Sequence, residues 1–172
     1  MADELEQLYQ STYTSVVRFL YRRVWDLDRA HDLAQEVFVR AMNHRPEKPR
    51  AWVFAVAANL ARDEARAAMR RKKHLTLLTN DPIVMPAAEP DAQELVEQDE
   101  RMASVHRALD ELTPRDREVL LLWDAGLTYP EIAAQTDLAV GAVGTTLARA
   151  RKRLVAAHER LTAGKMDDAA HS

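Results

Sequence analysis

The 172-residue chain contains no cysteine, which excludes disulfides and thiolate metal sites. Only four glycines are present, and none forms a phosphate-cradling loop. Aromatic residues make up 6% of the chain against 47% hydrophobic residues overall, so a core must be built from aliphatic side chains. No apolar run approaches the roughly 20 residues of a membrane span. The first residues, MADELEQLYQ, are acidic and lack an apolar signal region. The expectation is a cytoplasmic protein with no membrane insertion. The six histidines, His31, His44, His74, His106, His158 and His171, lack the i, i+4 pairing of a helical metal site. No nucleophile–base pair is apparent either. A small helical enzyme is therefore disfavoured, and neither a catalytic residue, a metal nor a cofactor is expected.

What is present is charge, unevenly spread. The net charge of −3 hides a balance of +4 over residues 1–74, −7 over residues 75–100 and 0 over residues 101–172. Local patches govern nucleic-acid binding more than the total does. Few glycines and long helical periodicities predict an all-α protein. Two small helical domains, residues 1–74 and 101–165, are joined by an acidic linker, residues 75–100. A flexible tail is expected over residues 166–172. The linker holds seven acids and no base, together with three prolines. It reads as an extended spacer that turns helical from about Gln93.

Residues 112–154, LTPRDREVLLLWDAGLTYPEIAAQTDLAVGAVGTTLARARKRL, are the most informative stretch. Thr113 caps a helix and Pro114 suits its first turn. Val119, Leu120, Leu122 and Trp123 give that helix an apolar side, and Gly126 stops it. Thr128 and Glu131 form a capping box for a short helix carrying Ile132 and Ala133. A turn follows over residues 137–141. The last helix places Val143, Leu147, Ala150 and Leu154 on one stripe, with Thr145, Thr146, Arg149 and Arg153 turned away from it. This is the order of a helix-turn-helix, whose last helix enters the DNA major groove.

In the first domain, Leu5, Leu8, Tyr9, Val16, Val17, Leu20 and Val24 space one helix. Asp28 is the expected cap of a second, with Ala30, Leu33, Ala34, Val37, Phe38 and Ala41 in register. Pro49 opens a third, expected to reach Lys73. On it Asn59, Arg62, Arg66, Arg70 and Lys73 share an arc of about 80° at 100° per residue. Arg71 and Lys72 extend its positive end. Cations neutralise phosphate and an amide can read a base edge, so the stripe suits DNA.

The strings DRAHDLAQEVFVRAM, PRAWVFAVAANLARDEA, LTPRDREVLLL, GLTYPEIA and VGAVGTTLARARKRL together resemble the extracytoplasmic-function (ECF) sigma factors of bacterial RNA polymerase. The resemblance covers nearly the whole chain apart from the linker and the last ten or so residues. It implies two helical domains, corresponding to sigma regions 2 and 4, with core RNA polymerase and promoter DNA as partners. Asp32, Gln35, Glu36 and Arg40 fall on the segment that docks on the polymerase clamp, with Leu33, Val37 and Phe38 in the core. The loop at residues 43–48 lies where the family captures a flipped −10 base. Asn59, Arg62, Arg66, Arg70, Arg71 and Lys73 fall on the −10 helix. Thr128, Thr145, Thr146, Arg149 and Arg153 would serve the −35 element. The linker would thread toward the RNA exit path. An anti-sigma factor is a further implied partner, with the apolar edges flanking Phe38 and Leu121 as its candidate contacts. Only Trp52 and Phe54 are available on the third helix to wedge DNA open, which implies stringent promoter choice.

This chain departs from the family's frequent G-T-V-K-S-R-L pattern by placing Gly144 and Thr146 where two cations stand. Contact with the −35 element should therefore differ here. A regulator of the LuxR type shares the L-T-P-R-x-R-E-V-L and E-I-A elements, but it leaves the first-domain strings unexplained. A pure adaptor would require the basic faces to bind acidic protein.

Overall fold

The computed structural model describes residues 2–79 and 95–170, without the side chains of residues 72, 74–79 and 95–100. The described residues form α-helices joined by turns, with no strand among them. The chain divides into two compact units, Met1–Pro86 and Ala87–Ser172.

The first unit holds α1 (Ala2–Val24), α2 (Leu27–Ala41) and α3 (Pro49–Thr79). Each packs on the other two. Trp25, in the left-handed region at φ 55°, turns the chain between α1 and α2. That turn sets Asp26, not the expected Asp28, as the cap: its Oδ1 accepts from the Arg29 N–H at 3.0 Å. All six residues expected on the inner side of α2 are buried. Against them lie Val16, Phe19 and Leu20 of α1 and Val53, Phe54, Ala57 and Leu60 of α3. Phe19 meets Phe54 edge-on, with ring centroids 5.8 Å apart. Phe54 is wholly buried, so it is not available as a DNA wedge. Burial of one such ring stabilises the unit by about 1.5–3 kcal/mol.

Tyr13 and His31 join α1 to α2 through a 3.0 Å hydrogen bond between the phenol and Nδ1. Arg29 joins α2 to α3 by a fork on Glu64, Nε to Oε1 at 2.9 Å and Nη2 to Oε2 at 2.7 Å. These hydrogen bonds outweigh partial burial and hold the Glu64 carboxyl below its ordinary pKa.

The second unit holds α4 (Leu95–Asp110), α5 (Pro114–Asp124), α6 (Tyr129–Thr136) and α7 (Val140–Ala170). The long α7 packs on α4, α5 and α6. Thr113 caps α5, accepting from the Asp116 N–H. Gly126 ends the α5 turn at φ 90°. Thr128 and Glu131 form the expected capping box, and left-handed Asp137 closes α6. The last carbonyls of a helix lack partners within it. Arg117 supplies them for α4, donating to the carbonyls of Leu109 at 3.0 Å and Asp110 at 3.3 Å. Ser104 meets His158 Nε2 at 3.2 Å and so ties α4 to α7.

Several boundaries differ from the sequence expectation. Helix α3 runs to Thr79, past the expected end at Lys73, whereas α4 begins at Leu95, close to the helical onset expected near Gln93. The rest of the expected linker, residues 80–94, lies outside the described residues. Residues 166–170, expected as a tail, continue α7 as helix. On α5 the buried apolar residues are Val119, Leu121 and Leu122, while Trp123 is exposed. Leu121 is therefore core, and it cannot itself offer an apolar edge.

Candidate nucleic-acid interface

The basic stripe on α3 is displayed as its spacing predicts. Val53, Ala57, Leu60 and Ala61 turn inward, leaving Asn59, Arg66, Arg70, Arg71 and Lys73 exposed and Arg62 half-buried. Arg62 donates to Asn59 Oδ1 at 2.7 Å, so the amide oxygen is engaged within the stripe. Arg66 is only loosely paired with Asp63, at 4.0 Å. Arg71 lies 4.0 Å from Glu64, on the side of α3 that Arg29 already neutralises. Among the described residues, Arg70 and Lys73 have no ion-pair partner. The side chain of Lys72 lies outside the described residues.

Beside the stripe, the loop at residues 43–48 is anchored at one end. His44 stacks on Trp52 with ring centroids 5.1 Å apart, and its Nδ1 bonds the Arg40 carbonyl. A cleft of about 390 Å³ opens there, lined by Leu5, Leu8, Met42, His44, Pro46 and Trp52 among others. Trp52 is half-buried in this stack.

The polar face of α2 presents Asp32, Gln35, Glu36 and Arg40 to solvent, while Leu33, Val37 and Phe38 are buried. Glu36 and Arg40 pair at 2.6 Å. Next to them an apolar groove of about 500 Å³ runs between α1 and α2, lined by Leu5, Tyr9, Phe38, Val39 and Met42. Tyr9, Val39 and Met42 are exposed.

The second basic face, on α7, differs from expectation in two respects. Thr145 is exposed and its hydroxyl bonds back to the Ala142 carbonyl. Thr146 is buried, at 5% exposure, together with Val143, Leu147 and Ala150. It is therefore a core residue rather than one turned outward. Arg149 and Arg153 are half-exposed, but neither is loose. Both reach the same carboxylate: Arg149 Nη2 to Asp116 Oδ1 at 2.9 Å, and Arg153 Nη1 to Asp116 Oδ2 at 2.8 Å. Asp116 itself is 1% exposed. Burial favours its neutral form, but the hydrogen bonds and charges of Arg149 and Arg153 outweigh this and hold its carboxyl below the ordinary value. Arg149 is correspondingly raised, first through its hydrogen bond to Asp116. Thr128 is exposed, with its hydroxyl engaged in the capping box.

Three contributors to this face were not read from sequence. Asp116 is one, since its partners lie 33 and 37 residues away. Tyr129 is another. Its ring stands 3.5 Å from the position of a β-carbon on Gly144 and stacks obliquely on Trp123 at 5.3 Å. Arg151 lies over the other end of that pair, 5.7 Å from the Trp123 ring, within cation–π range. The third is Lys152, which is exposed and continues the outward row begun by Thr145 and Ala148. Only Lys152 carried a legible signal, its spacing of seven and four residues from those positions.

Apart from Lys73, each basic face lies in a segment that matches a known family. Residues 8–71 match Sigma-70 region 2, and residues 102–154 match Sigma-70, region 4. The chain is 30% identical over 161 residues to the ECF RNA polymerase sigma factor SigM of Bacillus subtilis, covering 91% of this chain and 96% of that protein. It is 30% identical over 154 residues to the ECF RNA polymerase sigma factor SigE of Mycolicibacterium smegmatis, covering 87% of this chain but 59% of that longer protein. Among solved structures, CnrH in complex with the cytosolic domain of CnrY superposes with a TM-score of 0.61 at 25% identity, covering 91% of this chain and 88% of that one. The Bartonella quintana sigma factor RpoE, in complex with the anti-sigma factor NepR, shares the fold with a TM-score of 0.67 at 20% identity, over 91% of this chain and 97% of that one. A LuxR-type regulator would leave the region 2 match unexplained. No helix among the described residues is long and apolar enough to cross a membrane. With both regions present in order and SigM matched along almost its whole length, the chain belongs to the ECF family of RNA polymerase sigma factors, transcription initiation factors that bind core RNA polymerase and promoter DNA.

Proposed function

We propose that this sigma factor divides promoter recognition between its two basic faces. The α3 face, with Asn59, Arg62, Arg66, Arg70, Arg71 and Lys73, holds the −10 element, and the adjoining loop at residues 43–48 receives an extruded base. The α7 face, with Thr145, Arg149, Lys152 and Arg153, holds the −35 element. Thr128 and Thr146 support that face from the capping box and the core. The exposed α2 row of Asp32, Gln35, Glu36 and Arg40 docks on core RNA polymerase. The chemistry is binding and strand separation. Extruding a base costs a few kcal/mol, which favours sequences that unstack easily.

The observation that carries this reading is the pair of exposed basic helix faces in two separate compact units of one chain. Neither face needs high affinity alone. Fixing both to one polymerase raises the effective concentration of each at its element. The apolar groove between α1 and α2, beside the polymerase-docking row, suits an anti-sigma factor that competes with polymerase for this surface. The expected linker path along the RNA exit channel belongs to the same reading.

Run-off transcription with purified core RNA polymerase tests it, with and without the chain, on a library of promoter fragments. Discrete start sites that appear only with the chain support the reading. Sequence-specific DNA binding by the chain alone, with no new transcripts, contradicts it.

A further inference from the structure

Arg149 and Arg153 stand one turn apart on α7, and both close on one carboxylate. Asp116 is 1% exposed, whereas the two arginine side chains are 52% and 53% exposed. The carboxylate is thus fixed in the body of the unit while both guanidinium groups remain at its surface. A surface acid would swing with its partner. This one is confined by its burial, at the start of a helix whose backbone is pinned by the Thr113 cap. Each guanidinium carries five N–H donors in a rigid fork. The recorded bonds use one N–H of each. Anchoring one N–H of each guanidinium on a buried carboxylate restricts where its remaining donors can point.

We propose that Asp116 is the positioning residue of the second basic face: it sets the orientation of Arg149 and Arg153 before DNA arrives and thereby determines sequence discrimination. This rests on the assignment of α7 to DNA. Freely moving arginines supply charge to any duplex, since phosphate attraction carries no sequence information. Arginines already aimed lose less freedom on binding and reward only the duplex whose groups meet them. The inward charge also lowers the net charge of the cluster from two to one, which weakens attachment to wrong sequences.

The test uses holoenzyme formed from the full chain and core RNA polymerase, challenged with duplexes that wild-type holoenzyme enriches from a random pool and with the unselected pool. Four proteins are compared: wild type, Asp116→Ala, the double variant Arg149→Ala with Arg153→Ala, and the triple combination. The ratio of affinities for enriched over unselected DNA should fall about tenfold with Asp116→Ala, the scale of one lost bidentate contact. It should fall at least as far in the double variant, and Asp116→Ala should then add less than a further twofold. An equal added loss in the arginine-free background would mean that Asp116 acts only through folding, and would overturn the inference. So would an unchanged ratio in Asp116→Ala. A second probe covers the case in which Asp116→Ala does not fold. Exchange of both arginines for lysine keeps the charge and a point contact to Asp116 but removes the fork, and it too should cut the ratio about tenfold. A full ratio in that lysine variant would also overturn the inference. Failure of wild-type holoenzyme to enrich any duplex would instead sink the promoter-binding assignment itself.

Discussion

The two basic faces use the same residue types in opposite ways. On α3 the cations stand outward beside few acids: Arg66 pairs weakly at 4.0 Å, and the nearby Glu64 is taken mainly by Arg29 of α2. On α7 two arginines converge on one buried carboxylate at 2.8 and 2.9 Å. The first arrangement maximises positive field and mobility, which suits tracking a backbone that is being opened. The second spends charge on orientation, which suits a fixed duplex. The carboxylates show the same division. Glu64 braces two helices of its own unit, while Asp116 braces the proposed DNA-contacting side chains.

The largest expected effect is on salt dependence. Replacing Arg66, Arg70 and Lys73 together with alanine should reduce the slope of log affinity against log salt by roughly 2 to 3 for promoter binding by holoenzyme, near 0.7–0.9 per phosphate contact. Removing Arg149 and Arg153 should lower the slope by less, because Asp116 already offsets one of the two charges. Equal slope changes would erase the distinction between the faces.

A smaller effect separates two neighbours on α7. Arg149→Ala should weaken promoter binding about tenfold, as for a lost bidentate contact. Thr146→Ala should change affinity little and act on stability instead, since Thr146 is buried. Equal losses of affinity in a titration at fixed salt would count against the placement of both.

Acid should distinguish the braces from ordinary surface pairs. Asp116 is held below its ordinary pKa, so its contribution is complete above about pH 4 and is lost as pH falls through the lower folded value. Melting followed by circular dichroism should therefore show an acid-dependent loss of stability in wild type. That loss should be reduced in Asp116→Asn, whose side chain does not titrate.

The smallest expected effect is at Gly144. A methyl group there meets Tyr129 at 3.5 Å, an ordinary contact. Gly144→Ala should stabilise the second unit by about 1 kcal/mol, the difference in helix propensity. Promoter affinity should stay within about twofold of wild type. A destabilised variant in a denaturant titration would show that the helix at Gly144 is not regular.

Local chemistry was legible in the sequence, and distant chemistry was not. Thr113, the Thr128–Glu131 box and the six inward residues of α2 depend on neighbours within a turn, and all are found where the spacing puts them. Asp26 displaced Asp28 as a cap because the left-handed Trp25 starts the helix earlier than periodicity alone indicates. Thr146 was misread because α7 packs against three helices and buries a wider arc than one stripe. Trp123 was placed inside by its apolar character, yet it lies outside under Arg151, and Leu121 fills the core instead. The basic rows of both candidate faces could be read from helical spacing. The Asp116 brace could not, since a pairing across more than 30 residues leaves no periodic trace.

Footprinting of holoenzyme on a promoter found by run-off transcription tests the division of labour most directly. Wild type should protect two separated elements. The α3 variant lacking Arg66, Arg70 and Lys73 should lose the downstream protection first, and the variant lacking Arg149 and Arg153 the upstream protection. Loss of the same element in both variants would contradict the assignment of one promoter element to each face.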